Sequence, residues 1–403
     1  MEARAIRGLG LSALGETEAA LEEYRHLAAE AFPGAQAQRV VMARGWIDLA
    51  IGEVDAGCSE LESALPTDVL GGSWRISLWA HAWLARGHFL RGRWDDALEV
   101  AERGIDLASR SGMTLLLPLL HWTTSQIHAL RGDGGAEASL RRGDARPLDY
   151  SIMRVPAALA WAAEAETRGD YRSVLQALGP FAAGAFGDLV DEPGYWPWAD
   201  VYANALVMEG RLAEAANFLD SREAAASLGH RAGRARLAAP RGRLLGATGD
   251  LAGAQRVFDE ALDLLAGLPL EYDRARITFA YGQTLRRGGR RRDAESVLDA
   301  ARRMFSALGA QTYVARCDRE LGATEATGDG PLTRLLTGKE RLVVDLAVRG
   351  RSNREIASDL YISEKTVQFH LTRVYAKFGV KSRTALAAVW LDDRDRTASV
   401  DPG

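Results

Sequence analysis

The sequence has 403 residues, of which 47% are hydrophobic and 26% charged. That is enough apolar material for more than one buried core and excludes a disordered chain. No apolar run approaches the roughly 18 residues that span a bilayer, and the N-terminal "MEARAIRGLG" lacks the apolar stretch of a signal peptide, so a cytoplasmic protein with no membrane partner is expected.

The formal net charge of −4 hides a division. Residues 332–391 hold eleven Lys/Arg against five Asp/Glu, a net of +6, and include all four lysines of the protein; residues 1–331 carry −8. A small basic module on an acidic body is the asymmetry expected where one end meets a polyanion. Cys58 and Cys317 have no CxxC or Cys/His company. They are expected to be core residues, not a disulfide or a zinc site.

From the N-terminus onward, a glycine followed by polar residues and an apolar helical run recurs at Gly15, Gly52, Gly92, Gly132, Gly169, Gly210, Gly249 and Gly289, at intervals of 37 to 41 residues. Seven residues before each glycine stands a small residue: Gly8, Gly45, Ala85, Ser125, Ala162, Ala203, Gly242 and Gly282. Five residues after it stand Ala20, Gly57, Ala97, Ala215, Ala254 and Ala294, with Glu137 and Val174 as departures. Small side chains at two fixed points let paired helices approach closely, and the glycine accepts the left-handed conformation that ends a first helix. Each unit is therefore a helical hairpin, and residues 1–321 form a stack of such hairpins, a right-handed solenoid with a continuous core.

This pattern resembles the tetratricopeptide repeat, most clearly in "HAWLARGHFLRGRWDDALEVAERGIDLA" at 81–108, although the period exceeds the roughly thirty-four residues of that family. The first helix begins with Ala5, Ile6, Leu9 and Leu11, which lack the polar cover of a terminal repeat. A missing N-terminal partner or a shortened chain is expected there. One stretched connection, "GDLVDEPGYWPWADVY" at 187–202, gathers Tyr195, Trp196 and Trp198. Both a ligand pocket and simple packing of a helix start fit its composition.

The Gly/Thr-rich "GATEATGDGP" at 322–331 has the composition of a linker, and residues 392–403 that of a disordered tail. Between them, hydroxyl caps open four short helices. Thr337 with Glu340 and Ser352 with Glu355 have capping-box spacing, while Ser363 and Ser382 are plainer N-caps. Helices are expected near 338–349, 353–360, 364–378 and 383–390. In the third, Val367, Leu371, Val374 and Phe378 fall on one stripe, with Ile356, Leu360 and Ile362 behind. Lys365, Gln368, Phe369 and Thr372 lie opposite, and Thr366, His370, Arg373 and Lys377 occupy one flank. A helix pressed into a DNA major groove needs this division into core, base-reading and phosphate-binding faces. The pair 353–360 and 364–378, joined by "YIS", has helix-turn-helix proportions.

The segment "LTGKERLVVDLAVRGRSNREIASDLYISEKTVQFHLTRVYAKFGVKSRTALAAV" at 336–389 resembles the LuxR/GerE-type DNA-binding domain along its whole length. The resemblance implies that Lys365, Gln368, Phe369 and Thr372 face the bases. It places Asn353, Ser363, Thr366, His370, Arg373, Lys377 and Arg383 where phosphate or supporting contacts are made, and gives pairing to the fourth helix, 383–390. That helix offers little surface for it beyond Ala385, Leu386, Ala388 and Val389, so the acidic array is expected to supply the missing contacts. Arg351 stands where an apolar residue is frequent, and Ala376 where a second basic one is. Phe369 has a second reading, tucked against Lys365, and His370 has one as a packed core residue.

The combination with a repeat array is similar to large MalT-like regulators of the LuxR family, which carry an ATP-binding domain ahead of their repeats. No Walker loop is present; the only Gly-Lys, Gly338-Lys339, is followed by Glu340. The expectation is thus an all-α protein: a tetratricopeptide-like solenoid followed by a four-helix LuxR-type domain. Its expected role is that of a sequence-specific transcriptional regulator. The implied partners are double-stranded DNA, a second copy of the chain, a protein or small-molecule effector on the array, and RNA polymerase. No cofactor, metal or enzymatic activity is implied, since no His-x-x-x-His pair or Ser/His/Asp order stands out. The alternative is a repeat-based adaptor with a weak, non-specific DNA anchor.

Overall fold

Glycine turns each helix pair. In the computed structural model, Gly52, Gly92, Gly132, Gly169, Gly210, Gly249 and Gly289 all have positive φ, between +72° and +95°, where a Cβ would be strained. The structure describes residues 2–13, 16–25, 27, 34–65, 72–144, 151–190, 195–225, 230–325, 336, 338–359 and 364–398; Gly15 lies outside them. Among the described residues every regular element is helical.

The chain divides into two units, Met1–Asp318 and Arg319–Gly403. In the first, eight hairpins follow in order. They are α1 (Glu2–Ala13) with α2 (Thr17–Arg25), α3 (Gly34–Ile51) with α4 (Val54–Ser63), and α5 (Trp74–Leu90) with α6 (Trp94–Ser111). Next come α7 (Leu117–Arg131) with α8 (Gly135–Arg142), α9 (Arg154–Arg168) with α10 (Tyr171–Ala182), and α11 (Ala199–Met208) with α12 (Leu212–Ala225). The last two are α13 (Arg231–Ala247) with α14 (Leu251–Leu264) and α15 (Glu271–Arg287) with α16 (Arg291–Leu308), followed by α17 (Gln311–Glu325), whose residues up to Asp318 belong to this unit. Local chemistry starts several of them. Asp170 and Asp250 accept from the amides of Ser173 and Gly253, and His230 from that of Gly233, which satisfies donors the first turn leaves orphaned.

The small-residue columns are contact points. A Cβ on Gly45 would lie 2.8 Å from the Gly57 carbonyl, and one on Gly57 would lie 2.8 Å from the Gly45 carbonyl. Gly242 faces the Phe258 ring and Gly282 faces Leu298, at 2.6 and 2.7 Å from the position of a Cβ. Ala85, Ser125, Ala162 and Ala203 are buried, as are Ala20, Ala97, Val174, Ala215, Ala254 and Ala294. Glu137 is exposed instead; in that hairpin Gly135 makes the close approach, against the His128 ring. The side chains of Ala5, Ile6 and Leu9 lie outside the described residues, whereas Leu11 packs on the cluster around Tyr24 and Val40. Cys58 and Cys317 are buried free thiols.

The array curls until distant hairpins meet. Phe89 of α5 packs edge-on against Tyr272 of α15 at 5.3 Å. Thr312 of α17 donates to the Leu130 carbonyl of α7 at 2.9 Å, and Arg276 of α15 reaches Glu166 of α9. The stretched connection fills the inner side at the other end. Tyr195 stacks on Trp46 at 4.2 Å, and Trp196 meets Trp83 and Trp122. Trp198 Nε1 donates to the Val190 carbonyl at 2.9 Å while its ring contacts Phe181 and Phe218. All three aromatics are buried, so packing accounts for them. The helix α17 continues through Glu325, into residues expected to be linker.

Replacing Gly242 or Gly282 by leucine overpacks these crossings and should cost about 1–3 kcal/mol. Thermal unfolding of the full chain checks this, and an unchanged transition would mean the helix register is wrong.

Candidate nucleic-acid interface

The second unit is built from α18 (Gly338–Val348), α19 (Asn353–Asp359), α20 (Glu364–Phe378) and α21 (Arg383–Ala398). Its core joins Val343, Val344 and Ala347 of α18, Ile356 and Ala357 of α19, Val367, Leu371 and Val374 of α20, and Leu386 and Trp390 of α21. Phe378, partly buried, packs on this cluster and stacks with Trp390. The Ser352–Glu355 capping box is formed: the Ser352 amide donates to Glu355 Oε2 at 2.7 Å, and the Glu355 amide donates to Ser352 Oγ at 3.3 Å. Those bonds hold the Glu355 carboxyl below its ordinary range, the backbone amide of Ser352 contributing most. Ser382 caps α21 by accepting from the Ala385 amide. Thr337, Leu360, Ile362 and Ser363 lie outside the described residues.

Two expectations about α21 need correction. It runs to Ala398, beyond the expected end at 390 and into the segment expected to be a disordered tail. Leu386, expected to contribute to a pairing surface, is fully buried in the core, because it faces α18 and α20 to complete their apolar cluster. Ala388 is exposed, and Ala385 and Val389 are half-buried.

Burial of Val367, Leu371 and Val374 leaves the opposite face of α20 outside. Lys365, Gln368, Phe369 and Thr372 are all exposed. Phe369, at 56%, is the most exposed large hydrophobic side chain among the described residues. It does not tuck into the fold: the Arg373 guanidinium lies 5.5 Å from its ring centre and the His370 ring meets it edge-on at 5.7 Å. His370 and Thr366 are half-buried on the flank. Lys365 has no hydrogen bond or ion pair among the described residues. Thr372 Oγ1 donates to the Gln368 carbonyl at 2.9 Å.

Gln368 is held from behind. Asn353 Nδ2 donates to Gln368 Oε1 at 2.9 Å, and Arg383 in turn donates to Asn353 Oδ1 at 3.3 Å. Arg383 also donates to the carbonyls of Ala347, at 3.2 Å, and Arg351. This relay runs from the start of α21 through the start of α19 to the exposed Gln368 on the outer face of α20. Asn353 and Arg383 therefore act as supports for another side chain.

Lys377 also has an internal role. Its Nζ donates to Glu340 Oε2 at 2.6 Å, and Arg373 Nε lies 3.9 Å from the other oxygen. Glu340 is only 2% exposed, and a buried carboxylate requires a counter-charge. Glu340 was legible only as a capping residue, since nothing local announces a partner 37 positions away. Arg351, the unusual residue of the turn, is exposed and pairs with Glu355 at 3.3 Å.

Residues 334–390 match the luxR family of bacterial regulatory proteins. Over 50 residues the chain is 50% identical to the spore germination protein GerE of Bacillus subtilis (strain 168), covering 12% of this chain and 68% of that protein. The chain belongs to the luxR family of bacterial regulatory proteins. It is also 39% identical over 85 residues to the "Probable HTH-type transcriptional regulator GfsR" of Streptomyces halstedii, covering 21% of this chain and 35% of that protein. With the nitrate/nitrite response regulator protein NarP of Escherichia coli (strain K12) it shares 35% identity over 104 residues, 25% of this chain and 47% of that protein. The matches thus span about a third and about half of these luxR-family relatives. The second unit is the DNA-binding helix-turn-helix of a transcriptional regulator. No helix among the described residues is long and apolar enough to cross a membrane.

Because Lys377 neutralises a buried carboxylate, Lys377→Met should destabilise the second unit by about 1–3 kcal/mol. Urea unfolding monitored through Trp390 checks this; an unchanged midpoint would leave Lys377 free for phosphate alone.

Proposed function

We propose that this chain is a sequence-specific regulator of transcription that inserts α20 into the major groove. The exposed face of that helix carries the reading: an exposed amide, a lysine with no partner among the described residues and a solvent-facing phenylalanine stand together on a rigid support. Each suits one feature of a base edge. Lysine donates to guanine O6 and N7, a glutamine amide pairs with adenine N6 and N7, and an apolar ring or methyl contacts the thymine methyl. Lys365, Gln368, Phe369 and Thr372 take these roles. Thr366, His370 and Arg373 flank them on the side where the backbone runs, with Ser363 at the helix start. Arg383 and Asn353 position Gln368, and Lys377 divides its charge between Glu340 and the phosphates.

One recognition helix reads only a few base pairs, too few to single out a site among roughly 10⁶ or more competitors. The regulator therefore acts as a homodimer on paired half-sites. The array supplies the self-association and senses a ligand or protein effector, and RNA polymerase is the downstream partner. The firm helix support for Gln368 favours sequence reading over a non-specific anchor.

The test begins with duplexes selected from a random library by the full chain. Selected DNA should bind at least about 10³-fold more tightly than random DNA. Lys365→Ala and Gln368→Ala should each cost about 1–3 kcal/mol on the selected duplex and much less on random DNA. Arg373→Ala should weaken both and reduce the salt slope by about one. Equal losses on both duplexes from the first two changes would contradict base reading.

A further inference from the structure

Within the first unit, α13 and α15 each turn a stripe inward at six and three residues before, and one residue after, the small contact residue, Gly242 or Gly282. In α13 this stripe is Arg236, Ala239 and Arg243; in α15 it is Arg276, Phe279 and Gln283. A cavity of about 30 Å³ lies against all of these but Gln283, and the charged side chains lining it are Arg236, Arg243, Arg276 and Arg316 against Glu166, Asp200 and Asp273.

Every one of those carboxylates is already engaged. Arg236 holds Asp273 at 2.7 Å, and Arg276 bridges Glu166 at 2.9 Å and Asp200 at 3.0 Å. Arg243 is left with neutral acceptors. Arg316 also hydrogen-bonds neutral ones, although, against the cost of burial, the phenols of Tyr313 and Tyr171 and the nearby Glu166 carboxylate hold its guanidinium above its ordinary range. Arg243, only 7% exposed, donates to Gln283 Oε1 at 2.7 Å and to the Met208 sulfur at 3.6 Å. Arg316 donates to the Glu166 carbonyl at 3.1 Å and the Tyr171 hydroxyl at 2.8 Å. The exposed Arg287 reaches the same Met208 sulfur at 3.8 Å.

A thioether is a weak acceptor, and a buried guanidinium without a counter-charge is costly. Burial pushes Arg243 down to about 10, the phenol of Tyr171 opposing and the guanidinium groups of Arg287 and Arg316 adding to the effect. The planar fork of arginine is matched in geometry and charge by two-oxygen anions. We propose that this cavity binds a small oxyanion, the carboxylate or phosphoryl group of an effector, between Arg243 and Arg316, with Arg287 close by on the Met208 sulfur it shares with Arg243. The inference rests on the array being a sensor and names the chemistry of what it senses. Such an anion ties together α13, α15 and α17, the last helices of the array.

The experiment is thermal unfolding of the full chain, followed by tryptophan fluorescence, in sodium phosphate, sodium acetate or sodium chloride at matched ionic strength. Phosphate, acetate or both should raise Tm saturably above chloride, and the responding salt identifies the group. In Arg243→Gln and Arg316→Gln the apparent affinity should fall by about tenfold or more. Gln283→Glu, which gives Arg243 an internal carboxylate, should raise Tm without added anion and abolish the response. No anion-specific rise, or a rise unchanged in Arg243→Gln, would overturn the site while leaving an uncharged or protein effector possible for the array. DNA affinity is then measured with the responding anion. A Tm response with unchanged DNA affinity keeps the site and overturns the sensor reading instead.

Discussion

Two helices can approach closely only where little stands between them, and the array imposes that condition about every forty residues. Gly45 against Gly57, Gly242 against Phe258 and Gly282 against Leu298 set both the spacing of each hairpin and its rotation. Once rotation is set, the helical period determines which residues of each first helix turn inward. The consequence differs along the chain. Toward the N-terminus that inner stripe supplies Trp46, Trp79 and Trp122, joined by Trp83 and by Tyr195 and Trp196 from the long connection. Toward the C-terminus it supplies Arg236, Arg243, Arg276 and Gln283, so an aromatic interior gives way to a charged one. Arg86 lies at the transition, bonded to Gln126 and placed over the rings of Phe89 and Trp122.

The second unit obeys the same rule on a smaller scale. Burying Val367, Leu371 and Val374 forces Lys365, Gln368, Phe369 and Thr372 to the surface, whatever their own preferences. An exposed phenylalanine gains nothing for the fold, since its ring gives up burial worth about 1.5–3 kcal/mol. The buried polar groups serve that surface. Glu340 draws in Lys377 and, more distantly, Arg373, while Arg383 and Asn353 brace Gln368. Rigid support of this kind limits the ordering cost when the helix meets DNA.

The hairpins, their turns and the division of α20 into faces were legible because each depends on residues within one or two helical turns. Seven glycines take up the left-handed conformation their spacing demanded, and the Ser352 box closes as its S-x-x-E pattern required. What stayed hidden depends on curl. Arg276 finds Glu166 from 110 positions away and Arg316 finds Tyr171 from 145, and no local pattern carries such pairings. Tyr195 and Trp196 showed as an aromatic cluster, but their destination against Trp46 and Trp83 did not. The composition of "GATE" at 322–325 suggested a linker, yet α17 extends through it, because glycine and threonine lower helix propensity by only about 1 kcal/mol or less each. Leu386 looked available for pairing because its helix was read alone, without the cluster on α18 and α20 that it completes.

The central claim is that α20 reads bases from the major groove, in two copies. Dimethyl sulfate probing of a selected duplex tests it directly, since guanine N7 lies in the major groove and adenine N3 in the minor groove. With the full chain bound, guanine N7 should be protected in two clusters centred about one helical turn, or a multiple of it, apart. Protection confined to adenine N3, or no base protection despite tight binding, would contradict the account.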